Sequence, residues 1–202
     1  GGGKTVIGNN CLLMAYVHVA HDCIVKDKAI LANGVQLGGH VEIGYHATVG
    51  GMTPVHQFCK VGKHAFVGGG RLVLQDVPPY ILATGEPLQY SGINSIGLRR
   101  RNFDTESRNL IKKAYKLIYK SNLNISQAID SIKSNIKSTH EIKKIITFII
   151  SLIIKLEHTN NNIIIEGGKG AEADDSEGDE RELQGQYGAA DEGADQSGAS
   201  SV

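Results

Sequence analysis

Most of the histidines in this 202-residue chain, His18, His21, His40, His46, His56 and His64, are crowded into its first third, and only His140 and His158 lie outside that stretch. Several recur in step with other chemistry-bearing residues at an interval of 18 positions: His21 with Gly39 and Gln57, Asp22 with His40 and Phe58, and His18 with Gln36 and Pro54. An imidazole is the side chain whose ordinary pKa suits a general base near neutral pH. A glycine lets a reacting group come close to a backbone N–H, as an oxyanion donor must. If residues 18 apart stack on one another, the His21 imidazole, the Gly39 N–H and the Gln57 amide line a single wall within roughly 10 Å. Two other readings compete. Polar residues on such a wall can simply be solvated. Alternatively His18, His21 and His40 could take zinc, which needs three donors within about 2.1 Å of one ion. The register gives these three histidines no reason to converge, and no metal or cofactor is expected.

The element that must position these residues is a repeat of six. Stepping from Ile7 gives Leu13, Val19, Val25, Leu31, Leu37, Ile43, Val49, Val55, Val61, Val67 and Val73, aliphatic without exception. Small residues follow many of them (Gly8, Ala20, Ala32, Gly38, Gly44, Gly50, Gly62, Gly68), and others stand two places before (Cys11, Cys23, Ala29, Ala47, Thr53, Cys59, Ala65). A hexapeptide period of this kind predicts a parallel β-helix. Each unit supplies one short strand and one turn, and three units make a triangular coil. The aliphatics fill the prism, and the tight corners are expected to admit only small side chains or glycine. Coils stack about 4.8 Å apart, and each needs its neighbour to bury its own face. The three cysteines share one position of the hexad and are expected to be small buried hydrophobes.

The β-helix is expected over residues 1–79, in about four coils, and to end at Pro78-Pro79, since paired prolines cannot continue a ladder. Residues 80–103 read as an irregular connector. Helical spacing then runs over 104–158, with Asp104 as an N-cap and capping boxes at Asn124-x-x-Gln127 and Ser138-x-x-Glu141. From 159 to 202 the composition turns to Asn and Ile and then, from Gly167, to Gly, Ala, Asp and Glu. This low-complexity acidic tail is expected to be disordered. Its abrupt start fits a fusion scar, a frame change or an appended segment. The 21 basic and 21 acidic residues balance overall, but residues 1–166 hold 19 basic and 11 acidic, and the remainder 2 and 10. No nucleic-acid partner is expected. No run of 18 apolar residues is present, so no membrane span is expected, and no secretory signal is expected either.

The phrases themselves resemble a known family. His18-Val19-Ala20-His21-Asp22-Cys23, Leu37-Gly38-Gly39-His40-Val41, Gly50-Gly51-Met52-Thr53-Pro54-Val55-His56-Gln57-Phe58, Gln75-Asp76-Val77-Pro78-Pro79-Tyr80, Gly97-Leu98-Arg99-Arg100-Arg101-Asn102-Phe103 and Ala114-Tyr115-Lys116-Leu117-Ile118-Tyr119 are similar, in unbroken order, to those of the UDP-N-acetylglucosamine O-acyltransferases. The resemblance implies a cytoplasmic homotrimer of left-handed parallel β-helices with C-terminal helical domains and active sites between subunits. It implies transfer of a 3-hydroxyacyl chain from acyl carrier protein to the glucosamine 3-hydroxyl of UDP-N-acetylglucosamine, the first step of lipid A synthesis. Under it His21 is the general base and Asp22 orients the imidazole, which requires a turn there because adjacent strand residues point apart. The Gly39 N–H is the oxyanion donor. His18, His40, His56 and Gln57 line the sugar and acyl site. Asn94, Arg100 and Arg101 contact nucleotide or acyl-donor phosphate, and Gly69 bears on acyl-chain length. Ile96 departs from a usual carboxylate and Pro87 from a His-type pocket residue. The family carries around a hundred residues before the point matching Gly1, so the chain is expected to be N-terminally truncated, with an unpaired edge on its first coil. A catalytically impaired trimeric scaffold and a related hexapeptide N-acyltransferase are the alternative functions.

Overall fold

In the computed structural model, residues 2–158 are described, with side chains as far as 155; the acidic tail expected over 159–202 lies outside the described residues. The hexads form two-residue strands, β1 (Val6–Ile7), β2 (Leu12–Leu13), β3 (His18–Val19), β4 (Ile24–Val25), β5 (Ile30–Leu31), β6 (Gln36–Leu37), β7 (Glu42–Ile43), β8 (Thr48–Val49), β9 (Pro54–Val55), β10 (Lys60–Val61) and β11 (Phe66–Val67). Every third strand pairs in parallel, and every pairing joins residues 18 apart, as in Ile24↔Glu42, Ile30↔Thr48 and His18↔Gln36. The result is three sheets facing one axis, a left-handed parallel β-helix of about four turns. Leu31, Leu37, Ile43, Val49, Val55, Val61 and Val67 are at most 3% exposed along that axis. Burying each contributes roughly 1.5–3 kcal/mol. At the first coil the wall is thinner, with Val6 and Ile7 about half exposed.

The corners correct one expectation. Every sixth residue from Asn10 to Gly70 has positive φ, but most of these are large: Tyr16, Asp22, Lys28, His40, His46, Met52, Phe58 and His64. Their side chains leave the corner outward, so size is no obstacle there. The left-handed backbone costs roughly 1–2 kcal/mol per residue, offset from Lys28 onward by a bond from the corner N–H to the preceding coil, such as His40 N–H to the His21 carbonyl at 3.1 Å and Phe58 N–H to the Gly39 carbonyl at 3.0 Å. Small residues are instead required where coils touch. A Cβ on buried Gly50 would lie 2.4 Å from the Gly69 nitrogen.

The ladder also runs past the prolines: Val73 bridges to Val55 across a full 18 residues, Val77 to Val61 across only 16, and Leu82, beyond the prolines, pairs with Phe66. Residues 80–103, expected to be irregular, instead form β12 (Ile81–Thr84), β13 (Gln89–Ile93) and the helix α1 (Ser95–Arg100). β12 continues the sheet on β11, with Phe66↔Leu82, and β13 folds back antiparallel onto it. Its turn residues, Gly85 and Pro87, are legible as breakers, whereas the strands that flank them gain their pairing from the solenoid's open end and from each other.

Three helices follow: α2 (Thr105–Tyr119), α3 (Ile125–Asn135) and α4 (His140–His158). Asp104 caps α2, and the reciprocal Asn124–Gln127 box opens α3. At α4 the hydroxyl that accepts the Ile142 N–H, at 3.4 Å, belongs to Thr139 and not to the expected Ser138. The α4 stripe buries Ile142, Ile145, Ile149 and Leu152, leaving Ile150 and Ile154 exposed. Buried Tyr115 donates to the Pro79 carbonyl at 2.5 Å, and Lys155 reaches both the Phe58 carbonyl, at 3.0 Å, and the Asp76 carboxylate. These contacts fasten the helices to the last coils. No helix among the described residues is long and apolar enough to cross a membrane.

Candidate functional site

Asp22 occupies a left-handed corner, φ 59°, and this turn brings its carboxylate back beside the preceding residue. His21 Nδ1 lies 2.7 Å from Asp22 Oδ2. Facing a carboxylate, Nδ1 carries the proton and donates, which leaves the lone pair of the neutral ring on Nε2. The donation from His21, aided by the Gly3 backbone N–H and the nearby His40, holds Asp22 below the usual carboxylate range against the opposing effect of desolvation. The carboxylate therefore stays ionised until the pH falls below that range.

One coil along, His40 occupies the equivalent corner, with Nε2 3.7 Å from the same carboxylate oxygen and its ring edge-on to His21 at 5.2 Å. Phe58, in the next corner of the column, stacks on His40 at 4.6 Å. The His21 ring lies over Gly39: a Cβ there would be 2.7 Å from Cε1 and 2.8 Å from Nε2. Any side chain at 39 would displace the imidazole. The Gly39 N–H donates to no group among the described residues. The site is open, with the His21 side chain 61% exposed and Asp22 at its floor, 9% exposed.

His21, Asp22, Gly39 and His40 thus meet. His18 is exposed on β3, in register with Gln36. Gln57 and His56 are exposed one coil beyond Gly39, with His56 Nδ1 3.1 Å from the Gln57 carbonyl. Gly69 is partly buried on the next coil, under Gly50. Asn94 is 1% exposed, accepts from the Gly97 N–H as the cap of α1, and donates to the His64 carbonyl at 2.9 Å. Arg101 is partly buried near His64, and Arg100 is exposed. Of the metal-binding alternative, the convergence is real but its membership differs: Asp22, not His18, stands with His21 and His40. Two contributors escaped the sequence reading. Phe58 is visible only as a member of its column, and Lys155, 97 residues from Phe58, leaves no signal at all.

A stacked hexapeptide solenoid of this kind places the chain in the class of hexapeptide-repeat proteins. The model of the bacterial transferase hexapeptide matches residues 4–39, and that of UDP N-acetylglucosamine O-acyltransferase, domain 2, matches residues 76–152. The chain belongs to the UDP-N-acetylglucosamine O-acyltransferase family. It is 41% identical over 147 residues to the acyl-[acyl-carrier-protein]–UDP-N-acetylglucosamine O-acyltransferase of Thiobacillus denitrificans, covering 73% of this chain and 57% of that protein. Against the Aliivibrio salmonicida protein of the same name it is 44% identical, covering 67% and 52%. Among solved structures, the UDP-N-acetylglucosamine acyltransferase of Bacteroides fragilis superposes with a TM-score of 0.69 at 42% identity, over 69% of this chain and 55% of that one. The Arabidopsis enzyme gives 0.67 at 35% identity, over 70% and 51%. The chain therefore spans a little over half the length of the relatives it matches.

Proposed function

We propose that this chain carries the acyl-transfer wall of an enzyme moving a 3-hydroxyacyl group from acyl carrier protein to the 3-hydroxyl of UDP-N-acetylglucosamine, in the cytoplasm and as a homotrimer. The observation that carries the reading is the His21 imidazole, tethered through Nδ1 to Asp22 and lying over Gly39. In this mechanism Nε2 accepts the proton of the sugar hydroxyl as its oxygen attacks the thioester carbonyl. The Gly39 N–H stabilises the oxyanion, and the proton passes to the leaving thiolate. Asp22 stabilises the imidazolium that forms between those steps. His18, His40, His56 and Gln57 hold sugar and acyl groups along the same wall, and Gly69, having no side chain, leaves room for a longer acyl chain.

The open site fits a cleft completed by a second copy. Arg100 and Arg101, near the helical end, then serve as phosphate contacts for a neighbouring wall. The test is acyl transfer in a carrier-protein assay. His21→Ala is expected to lower the rate by about 10²–10⁴. Near-normal transfer by that variant would overturn the assignment of the base.

A second reading, a trimeric scaffold without turnover, is favoured by one observation: the Asn94 amide is already committed at the α1 cap. The departure at Ile96 that the family resemblance implies agrees with it. Binding of a UDP-sugar to the wild-type chain separates the two, since the scaffold reading expects none.

A further inference from the structure

The ring nitrogens of His21 and His40 and a carboxylate oxygen of Asp22 lie within 4.8 Å of one another. We propose that they form a reversible binding site for a late first-row divalent cation such as Zn²⁺, and that the bound ion silences the His21 imidazole. The second half rests on the reading of His21 as the base.

Two imidazoles and one carboxylate are a donor set that Zn²⁺ accepts with its fourth position open to water. A tetrahedral ion with bonds of about 2.1 Å sets its ligand atoms roughly 3.4 Å apart. His40 Nε2 and Asp22 Oδ2, at 3.7 Å, are close to that spacing already. His21 Nδ1 and Asp22 Oδ2, at 2.7 Å, have to separate by ~0.7 Å. The His21 side chain, 61% exposed, and that of His40, 40% exposed, have room to rotate, whereas Asp22 is fixed in its corner. Backbone stacking holds the two coils in register through the His40 N–H bond to His21. Cys23, the nearest soft donor in sequence, is fully buried and directs its thiol to the Gly38 carbonyl, so the ion meets nitrogen and oxygen only.

Silencing follows from the ring's bookkeeping of protons. If Nδ1 binds the ion, the single proton of the neutral imidazole resides on Nε2 and the basic lone pair is gone. If Nε2 binds, the lone pair is occupied directly. Either way no proton can be accepted from a sugar hydroxyl.

The experiment uses the chain without a polyhistidine tag, stripped with a chelator. Zn²⁺ affinity is read by competition with a fluorescent zinc indicator, and coordination by the visible absorption of the Co²⁺ form. One ion per chain with micromolar affinity is expected, weakened roughly tenfold or more in both His40→Ala and Asp22→Asn. His40→Gln, with its thermal unfolding compared with wild type, guards against a variant that fails to fold. Binding only at millimolar ion, or undiminished binding in folded variants, would overturn the site while leaving the base reading intact. In the transfer assay, Zn²⁺ is expected to inhibit reversibly on chelation. Tight binding without inhibition would overturn the silencing and, with it, His21 as base.

Discussion

At the scale of single residues, two histidines built on the same backbone corner have opposite fates. His40 is open to solvent beside a carboxylate, whereas His64, 6% exposed, stacks between His46 and Tyr80. Burial, reinforced by Arg101, His46 and Lys63, pushes the His64 imidazole down to about 3. Its pKa in the unfolded chain stays near the ordinary value of about 6.5. Between those values the unfolded chain takes up a proton that the folded protein refuses. Stability is thus intact above about 6.5 and declines as the pH falls towards 3, by about 1.4 kcal/mol per pH unit. Urea denaturation at pH 7 and pH 5 is expected to show a loss of roughly 2 kcal/mol from this residue. His64→Phe, which keeps the stacking, is expected to flatten that slope; an unchanged slope would show that other groups set the acid sensitivity.

Among the elements, the coil-to-coil contact is the stiffest feature. Gly50 is buried, and the atoms a methyl group would meet are the Gly69 nitrogen and Cα, backbone that cannot swing aside. Gly50→Ala therefore has to spread two coils, at a cost of about 1–3 kcal/mol. A lowered urea midpoint with unchanged slope would confirm it, and a midpoint equal to wild type would show that the coils yield freely. The helical elements share an apolar core with the last coils through buried residues such as Ile111, Ala114 and Tyr115, and add polar reaches such as Lys155 to Asp76 and Phe58. Because Phe58 stacks on His40, the tether of α4 ends two contacts from the Asp22 carboxylate.

For the whole molecule, the His21 site on one chain is an open wall. Tyr16 is 90% exposed, Met52 72%, Phe58 52%, Leu72 52% and Leu74 58%, all on the β-helix. Apolar surface of this extent is what association covers, and three-fold closure is the arrangement the family resemblance implies. Sedimentation equilibrium is expected to give about three times the chain mass of 21.7 kDa. Met52→Glu is expected to shift it towards the monomer. A monomeric wild type with full transfer activity would show that a single wall suffices.

The interior of this protein was legible from its letters because a solenoid is periodic: an aliphatic every six residues names the core, and 18 residues per coil name the columns. The stacking of His21 with Gly39, and of Asp22 with His40 and Phe58, follows from counting alone. Local chemistry was equally readable at the Asp104 and Asn124 caps, where a side chain bonds to backbone three residues away. What needed the tertiary structure was every feature set by non-periodic contact. The hairpin of β12 and β13 exists because an open sheet edge accepts it, although its own sequence is broken by Gly85 and Pro87. From Lys28 onward, large side chains sit at left-handed corners where the preceding coil supplies a bond to the corner amide. Asp22 rather than His18 joins His21 and His40 because one positive φ turns its carboxylate back along the chain. Spacing ranks residues by column, but only the backbone torsion decides which way each side chain leaves it.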